Sequence, residues 1–232
     1  MTRVLLYSSG LDSYCAAWLW RPDLCLYVDL GTGYNAPEIR LLGHAPAATR
    51  TTSLDLSPWE RPEDRIIPLR NLMLACVAAQ YGETIAMAAT AGDRVLDKTP
   101  TFASMTSHLL TWLWQPQHWT EGKTVDLVLP VKHLSKSELV RAALDAGADP
   151  ADIGSRTWSC YTPTAEGTEC GACKPCARKW VALVANGCPP TADAADHVRR
   201  HYLPAIRDGS WDRGPAEAED VITALRRAGR LT

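Results

Sequence analysis

No apolar run in this chain approaches the roughly twenty residues that a membrane-spanning helix requires. Charge of one sign is also missing: 24 Lys and Arg stand against 26 Asp and Glu, for a formal net charge of -2. Without a global field, a polyanion such as nucleic acid would need a local basic patch, so small molecules are the better expected substrates. Internal repeats and low-complexity segments are absent, which sets aside solenoids and disordered linkers. Met1-Thr2-Arg3 leads straight into an apolar run with no secretory signal pattern, and the expectation is a cytoplasmic protein. In such a reducing compartment eight cysteines do not make a disulfide framework. Four of them crowd into one short segment, and that clustering suggests metal. At 232 residues the chain can bury one large domain with a small appendage, but not two full domains.

What the sequence does contain begins at its first strand. Val4 to Tyr7 read as a buried strand and Ser8 to Ser13 as a small, polar turn, with Tyr14 to Trp20 as a helix. Backbone N–H groups in such a turn, aided by the positive end of a helix, cradle phosphate. The loop Ser8-Ser9-Gly10-Leu11-Asp12-Ser13 resembles the S-G-G-x-D-S loop of the PP-loop ATP pyrophosphatases, which implies ATP cleaved to AMP and pyrophosphate. Ser9 replaces the first glycine of that pattern, so a position suited to positive φ carries a Cβ.

Further along, strands are expected at Leu24–Asp29, Thr52–Leu56, Thr84–Ala89 and Val125–Leu129. They alternate with helices over Ala36–Leu42, Asn71–Tyr81, Phe102–Trp114 and Ser135–Ala146, the last opened by a Ser135/Glu138 capping box. This repeated order predicts an α/β fold, a Rossmann-like parallel sheet with helices on both faces. Ligands in such sheets sit beyond the carboxyl ends of the strands, where Ser8–Ser13, Asp29 and Thr90–Asp93 should meet.

Cys160, Cys170, Cys173 and Cys176 follow a C-x9-C-x2-C-x2-C pattern in a Gly/Pro-rich loop. Four local thiolates suit a closed tetrahedral zinc site that is structural, with no open coordination position. An iron–sulfur cluster is the rival, disfavoured because no distant ligand is needed. Cys15, Cys25 and Cys76 read as ordinary buried thiols. The expected organisation is a nucleotide-binding domain over 1–150, a zinc-binding subdomain over 151–188 and a helical tail over 189–232. That tail has seven basic and seven acidic residues, and helices near Ala192–Tyr202 and Ala216–Arg227.

Together the residues Ser8–Ser13, Asp29 with Gly31, Arg70-Asn71, Leu134-Ser135-Lys136, Trp158-Ser159-Cys160-Tyr161 and Cys170-Gly171-x-Cys173-x-x-Cys176-x-Arg178 resemble the 7-cyano-7-deazaguanine synthases. The resemblance implies an adenine nucleotide alpha hydrolase type of fold, a structural zinc and a homodimer. It also implies a ligase that adenylates 7-carboxy-7-deazaguanine with ATP and Mg²⁺, lets ammonia displace AMP, and dehydrates the amide to a nitrile with a second ATP. Ser8, Ser9, Gly10, Leu11, Asp12, Ser13 and Asp29 would then hold the nucleotide, and Asp12, Lys136 and Arg70 would serve the chemistry. Asp97, or failing it Asp93, would recognise the base through two hydrogen bonds, near Phe102 and Asn71. The family's glutamine and arginine after Asp29-x-Gly31 are replaced by Thr32 and Gly33, and its cysteine and arginine near Asp97 by Lys98 and Thr99. These departures leave other endings open: the amide as product, transfer of the activated deazaguanine to a protein amine, a tRNA-modifying enzyme, or a non-catalytic nucleotide-binding module.

Overall fold

The computed structural model describes residues 1–33 and 35–231. Five parallel strands, β1 (Arg3–Leu6), β2 (Leu24–Asp29), β3 (Thr49–Ser53), β4 (Thr84–Met87) and β5 (Asp126–Val128), form one sheet in the order β3-β2-β1-β4-β5. Adjacent residues of β1 serve opposite faces: Leu5 enters one core and Val4 the other. Against the Leu5 face pack α1 (Leu11–Trp20), α5 (Lys136–Asp145), α6 (Pro150–Ser155) and α7 (Lys174–Ala185). Against the Val4 face pack α3 (Arg70–Ala78) and α4 (Pro100–Leu113), while α2 (Asn35–Leu41) follows β2. Covering both faces is what permits strands as apolar as Leu-Cys-Leu-Tyr-Val in β2.

The connection reverses between β1 and β4, which are neighbours in the sheet. Loops leaving those two strands therefore diverge to opposite faces and open a crevice at their carboxyl ends. Helix α5 starts at that crevice, and the Ser135/Glu138 capping box read from the sequence is present.

Several boundaries differ from the sequence reading. The second edge strand runs over Thr49–Ser53 rather than Thr52–Leu56, because β2 pairs with it from Cys25↔Thr49 to Asp29↔Ser53. Leu54 and Leu56 follow the strand and fill the core from the loop, Leu56 being fully buried. Helix α1 begins at Leu11, so the second half of the phosphate-type loop is already its first turn. Cys76 is exposed, unlike Cys15 and Cys25. Helices α6 and α7 had no counterpart in the expected element list.

The tail forms α8 (Ala195–Arg207), which opens three residues later than expected with Asp193 accepting from the Ala195 N–H, and α9 (Pro215–Arg227). Both close a third core around Trp180 and Val181 of α7, using Val198, Leu203, Val221 and Leu225. Among the described residues, no helix is long and apolar enough to cross a membrane.

Candidate active site

Ser9 has φ +53°, the left-handed region in which a Cβ is strained, as its place in the glycine pattern suggested. Three contacts hold that conformation. Ser9 is fully buried, its hydroxyl donates to the Glu38 carbonyl at 2.9 Å, and its own carbonyl accepts from the Trp158 N–H at 2.8 Å. The turn is stiffened from inside by Ser13, whose hydroxyl donates to the Gly10 carbonyl at 3.1 Å and accepts from the Ser8 N–H at 3.3 Å. Ser13 thus serves the loop itself, while Ser8 is exposed at the rim. Gly10 sits against the Ser8 hydroxyl and the Trp158 carbonyl, where a Cβ would be tight at 3.1 Å from the former.

Asp12, in the first turn of α1, ion-pairs with Lys136 in the first turn of α5. Two helix N-termini and one cation therefore converge on the mouth of the loop, an electrostatic setting for a polyphosphate. Asp29 closes β2 and accepts from the Gly31 N–H at 2.9 Å and from the Asn35 side chain. Thr32 is buried and donates to Asn35 at 2.8 Å, so its hydroxyl is turned to the protein.

Arg70 opens α3 with the buried Asn71 beside it, and its charge acts on Glu38 and Tyr161. Glu38 had no sequence signal. Burial pushes its carboxyl up to about 7, against the opposing pull of the Tyr27 hydroxyl at 3.1 Å and of Arg70.

Asp93 and Asp97 part company. Asp93 accepts from the Thr90 N–H at 2.9 Å and lies 3.5 Å from Lys98 and 3.9 Å from Arg178. Although burial alone would raise its carboxyl, these hydrogen bonds and cations hold it below the usual range. Lys132 fastens the same turn by donating to the Thr90 and Asp93 carbonyls at 2.7 and 2.8 Å. No hydrogen bond or ion pair among the described residues reaches Asp97, in the short 3₁₀ turn Leu96–Lys98 before α4. Phe102 follows in the first turn of α4, whose cap is Thr99.

The four cysteine sulfurs lie within 4.8 Å of one another, Cys170 and Cys176 at 3.9 Å. A tetrahedral ion with bonds of about 2.3 Å sets its sulfurs about 3.8 Å apart, so the set fits a single zinc. A cubane of irons and sulfides needs its thiolates spread farther. N–H groups of Cys170 and Ala172 already point at sulfurs, at 3.3 and 3.4 Å, the outer hydrogen bonds that steady thiolate ligands. Behind the sulfurs, a buried Lys179–Glu169 pair at 2.8 Å binds the Thr157 carbonyl, the Ser159 N–H at 2.7 Å and Thr191. Trp158 stands between, donating its ring N–H to the Cys160 carbonyl at 2.8 Å and its backbone N–H to Ser9. The cysteine loop is thereby wired to the strained residue of the phosphate-type loop.

The fold and this loop define a doubly wound α/β protein with its polar crevice at the β1/β4 switch point. Residues 43–187, more than half of the chain, match the family model "Queuosine biosynthesis protein QueC", and the chain belongs to that family. It is 28% identical over 207 residues to "7-cyano-7-deazaguanine synthase 1" of Sphingopyxis alaskensis, covering 75% of this chain and 90% of the relative. It is 42% identical over 57 residues to the 7-cyano-7-deazaguanine synthase of Novosphingobium aromaticivorans, covering 25% of this chain and 23% of the relative. Among solved structures it is similar to a predicted subunit of tRNA methyltransferase from Methanocaldococcus jannaschii, at TM-score 0.44 and 17% identity, covering 62% of this chain and 76% of that one.

Proposed function

We propose that this chain is an ATP-dependent ligase that forms a carbon–nitrogen bond on 7-carboxy-7-deazaguanine, giving 7-amido-7-deazaguanine or 7-cyano-7-deazaguanine. The observation that supports it most is the convergence of the Ser8–Ser13 loop, the Asp12–Lys136 pair and the Trp158 segment after α6 at the switch point of a QueC-family chain. A carboxylate cannot expel oxide, so it must first become a mixed anhydride. Its oxygen attacks the α-phosphorus of ATP and pyrophosphate leaves. The charge on that leaving group is met by the loop N–H groups and by Lys136, held in place by Asp12. Mg²⁺ would enter with the nucleotide and neutralise its phosphates, with Asp12 as the acidic residue of the loop.

Asp97, without a hydrogen-bond or ion-pair partner among the described residues, is the carboxylate that suits the donor edge of a guanine-like base; Asp93, already paired, holds the turn instead. A zinc on Cys160, Cys170, Cys173 and Cys176 supplies a cross-link rather than chemistry, since four thiolates fill its shell. A homodimer belongs to the same reading. The exposed stripe Met105, Leu109, Trp112 and Leu113 of α4 suits it, in a stretch from Thr99 to Thr120 with no Asp, Glu, Lys or Arg. Mass spectrometry of products after incubation with 7-carboxy-7-deazaguanine, ATP, Mg²⁺ and ammonium tests the reading. Neither amide nor nitrile, with zinc-loaded folded protein, would overturn it.

A further inference from the structure

A small pocket, with room for about one water-sized molecule, opens beside Lys136, between α5, α7 and the tail. Lys136, Arg178, Tyr202, Trp211, Glu217 and Asp220 contribute to its wall. It adjoins the site already described through Lys136, the partner of Asp12. Tyr202, Trp211 and Glu217 come from beyond residue 187, where the matched family span stops.

Two polar atoms set this pocket apart. Arg178 Nη2 and Glu217 Oε1 are buried, and neither makes a hydrogen bond among the described residues. Such orphaned atoms are uncommon in folded proteins and each calls for an explanation. Both face Gly92, in the turn after β4: a Cβ there would collide with Glu217 Oε1 and lie 2.8 Å from Arg178 Nη2. Arg213 holds the tail against this turn by donating to the Gly92 carbonyl at 3.2 Å.

A ligand that satisfies both atoms must donate to a carboxylate and accept from a guanidinium. Neutral ammonia does both, through an N–H and its lone pair, whereas ammonium has no lone pair to offer Arg178. We propose that this pocket is the subsite of the nitrogen nucleophile, held as a neutral amine between Arg178 and Glu217. The proposal rests on the ligase reading above. Arriving ammonium gives one proton to the Glu217 carboxylate, which later releases it to water. The hydrogen bond from Arg178 then breaks, and the freed nitrogen lone pair attacks the acyl carbon of the adenylate. The C–N bond forms, the C–O bond to AMP breaks with its electron pair, and a second nitrogen proton passes to the departing phosphate. Tyr202 and Trp211 wall the pocket with aromatic surface that limits competing water.

The test uses the full zinc-loaded chain and ammonium chloride as the varied substrate. Glu217→Gln keeps shape but cannot take the proton, and is expected to raise KM for ammonium at least tenfold. Gly92→Ala, which pushes both side chains aside without straining the backbone, should do the same by another route. Exchange of pyrophosphate into ATP, which needs no nitrogen, reads the adenylation step separately. An ammonium KM within twofold of wild type in both variants would overturn the proposal and leave only water in the pocket. Equal falls in exchange and amide formation would overturn it too, placing the tail in the adenylation step. No exchange in the wild-type chain would instead remove the ligase reading beneath it.

Discussion

The cysteine loop and the tail-lined pocket lie on either side of α7 and treat buried polar groups in opposite ways. Behind the cysteines, Lys179, Glu169, Ser159, Thr157 and Thr191 satisfy one another. Across the helix, Arg178 and Glu217 each keep an atom unmatched among the described residues. A closed network in a low-dielectric setting fixes one geometry, while an open one leaves affinity for something that arrives later. The residues alternate within one short stretch: Cys176 and Lys179 face the loop, Arg178 the pocket. The helix thus carries a structural face and a ligand face, which separate by what fails when each is damaged.

The largest effect is expected on the closed side. Glu169→Ala leaves the Lys179 charge buried and unpaired, a loss of about 3–5 kcal/mol. In a chain of this size that lowers Tm by several degrees per kcal/mol. Cys173→Ser should act likewise through lost metal, with thermal denaturation moving before turnover of the molecules that stay folded. Metal analysis of the wild-type chain is expected to read one zinc per chain. Iron with a brown chromophore, or a Glu169→Ala protein as stable as wild type, would break the contrast.

On the open side the order reverses. Asp12→Ala frees Lys136 from its partner and should cut pyrophosphate release by about a hundredfold or more, with Tm little changed. Wild-type formation of AMP and pyrophosphate by that variant would remove Asp12 from the chemistry.

Much of this contrast was legible in the sequence where the signal is local. The cysteine spacing, the Ser135/Glu138 box and the positive φ of Ser9 each depend on a few neighbouring residues. Edge strand β3 was misplaced because its Thr-Arg-Thr-Thr-Ser face is mostly exposed and carries no alternation, whereas the apolar Leu54 and Leu56 beyond it mimic one. Glu38 and Glu217 gave no signal at all. What distinguishes them is burial beside groups remote in the chain, Tyr27 and Arg70 for one, Gly92 and Arg178 for the other.

Glu38 lies between the two behaviours, since its backbone supports Ser9 while its side chain is a carboxyl raised to about 7. Between its ordinary value of 4.5 and about 7 the folded chain binds a proton that the unfolded chain has lost. Stability from this group is therefore fully present below pH 4.5 and is lost as pH rises through 7, by about 2 kcal/mol between pH 5 and 7. Glu38→Gln should flatten that component in urea titrations at the two pH values. An unchanged slope would show that Glu38 ionises in the fold as freely as in water.

The smallest effect concerns where the reaction stops, and it sharpens the contrast within the pocket itself. The family's glutamine is replaced by Thr32, which is buried against Asn35, and Lys98 is drawn toward Asp93. Both substituted side chains are thus engaged with the protein, leaving fewer groups to orient the exocyclic carbon. An amide oxygen is a weak nucleophile toward a second ATP, so the second activation depends more on positioning than the first. A loss of about 1.4 kcal/mol slows it tenfold. 7-Amido-7-deazaguanine should therefore accumulate, with one AMP released per product and the amide persisting at long times. Two AMP per product and full conversion to the nitrile would show that other residues restore the lost orientation, and that the pocket is as complete for its second step as the cysteine loop is for its metal.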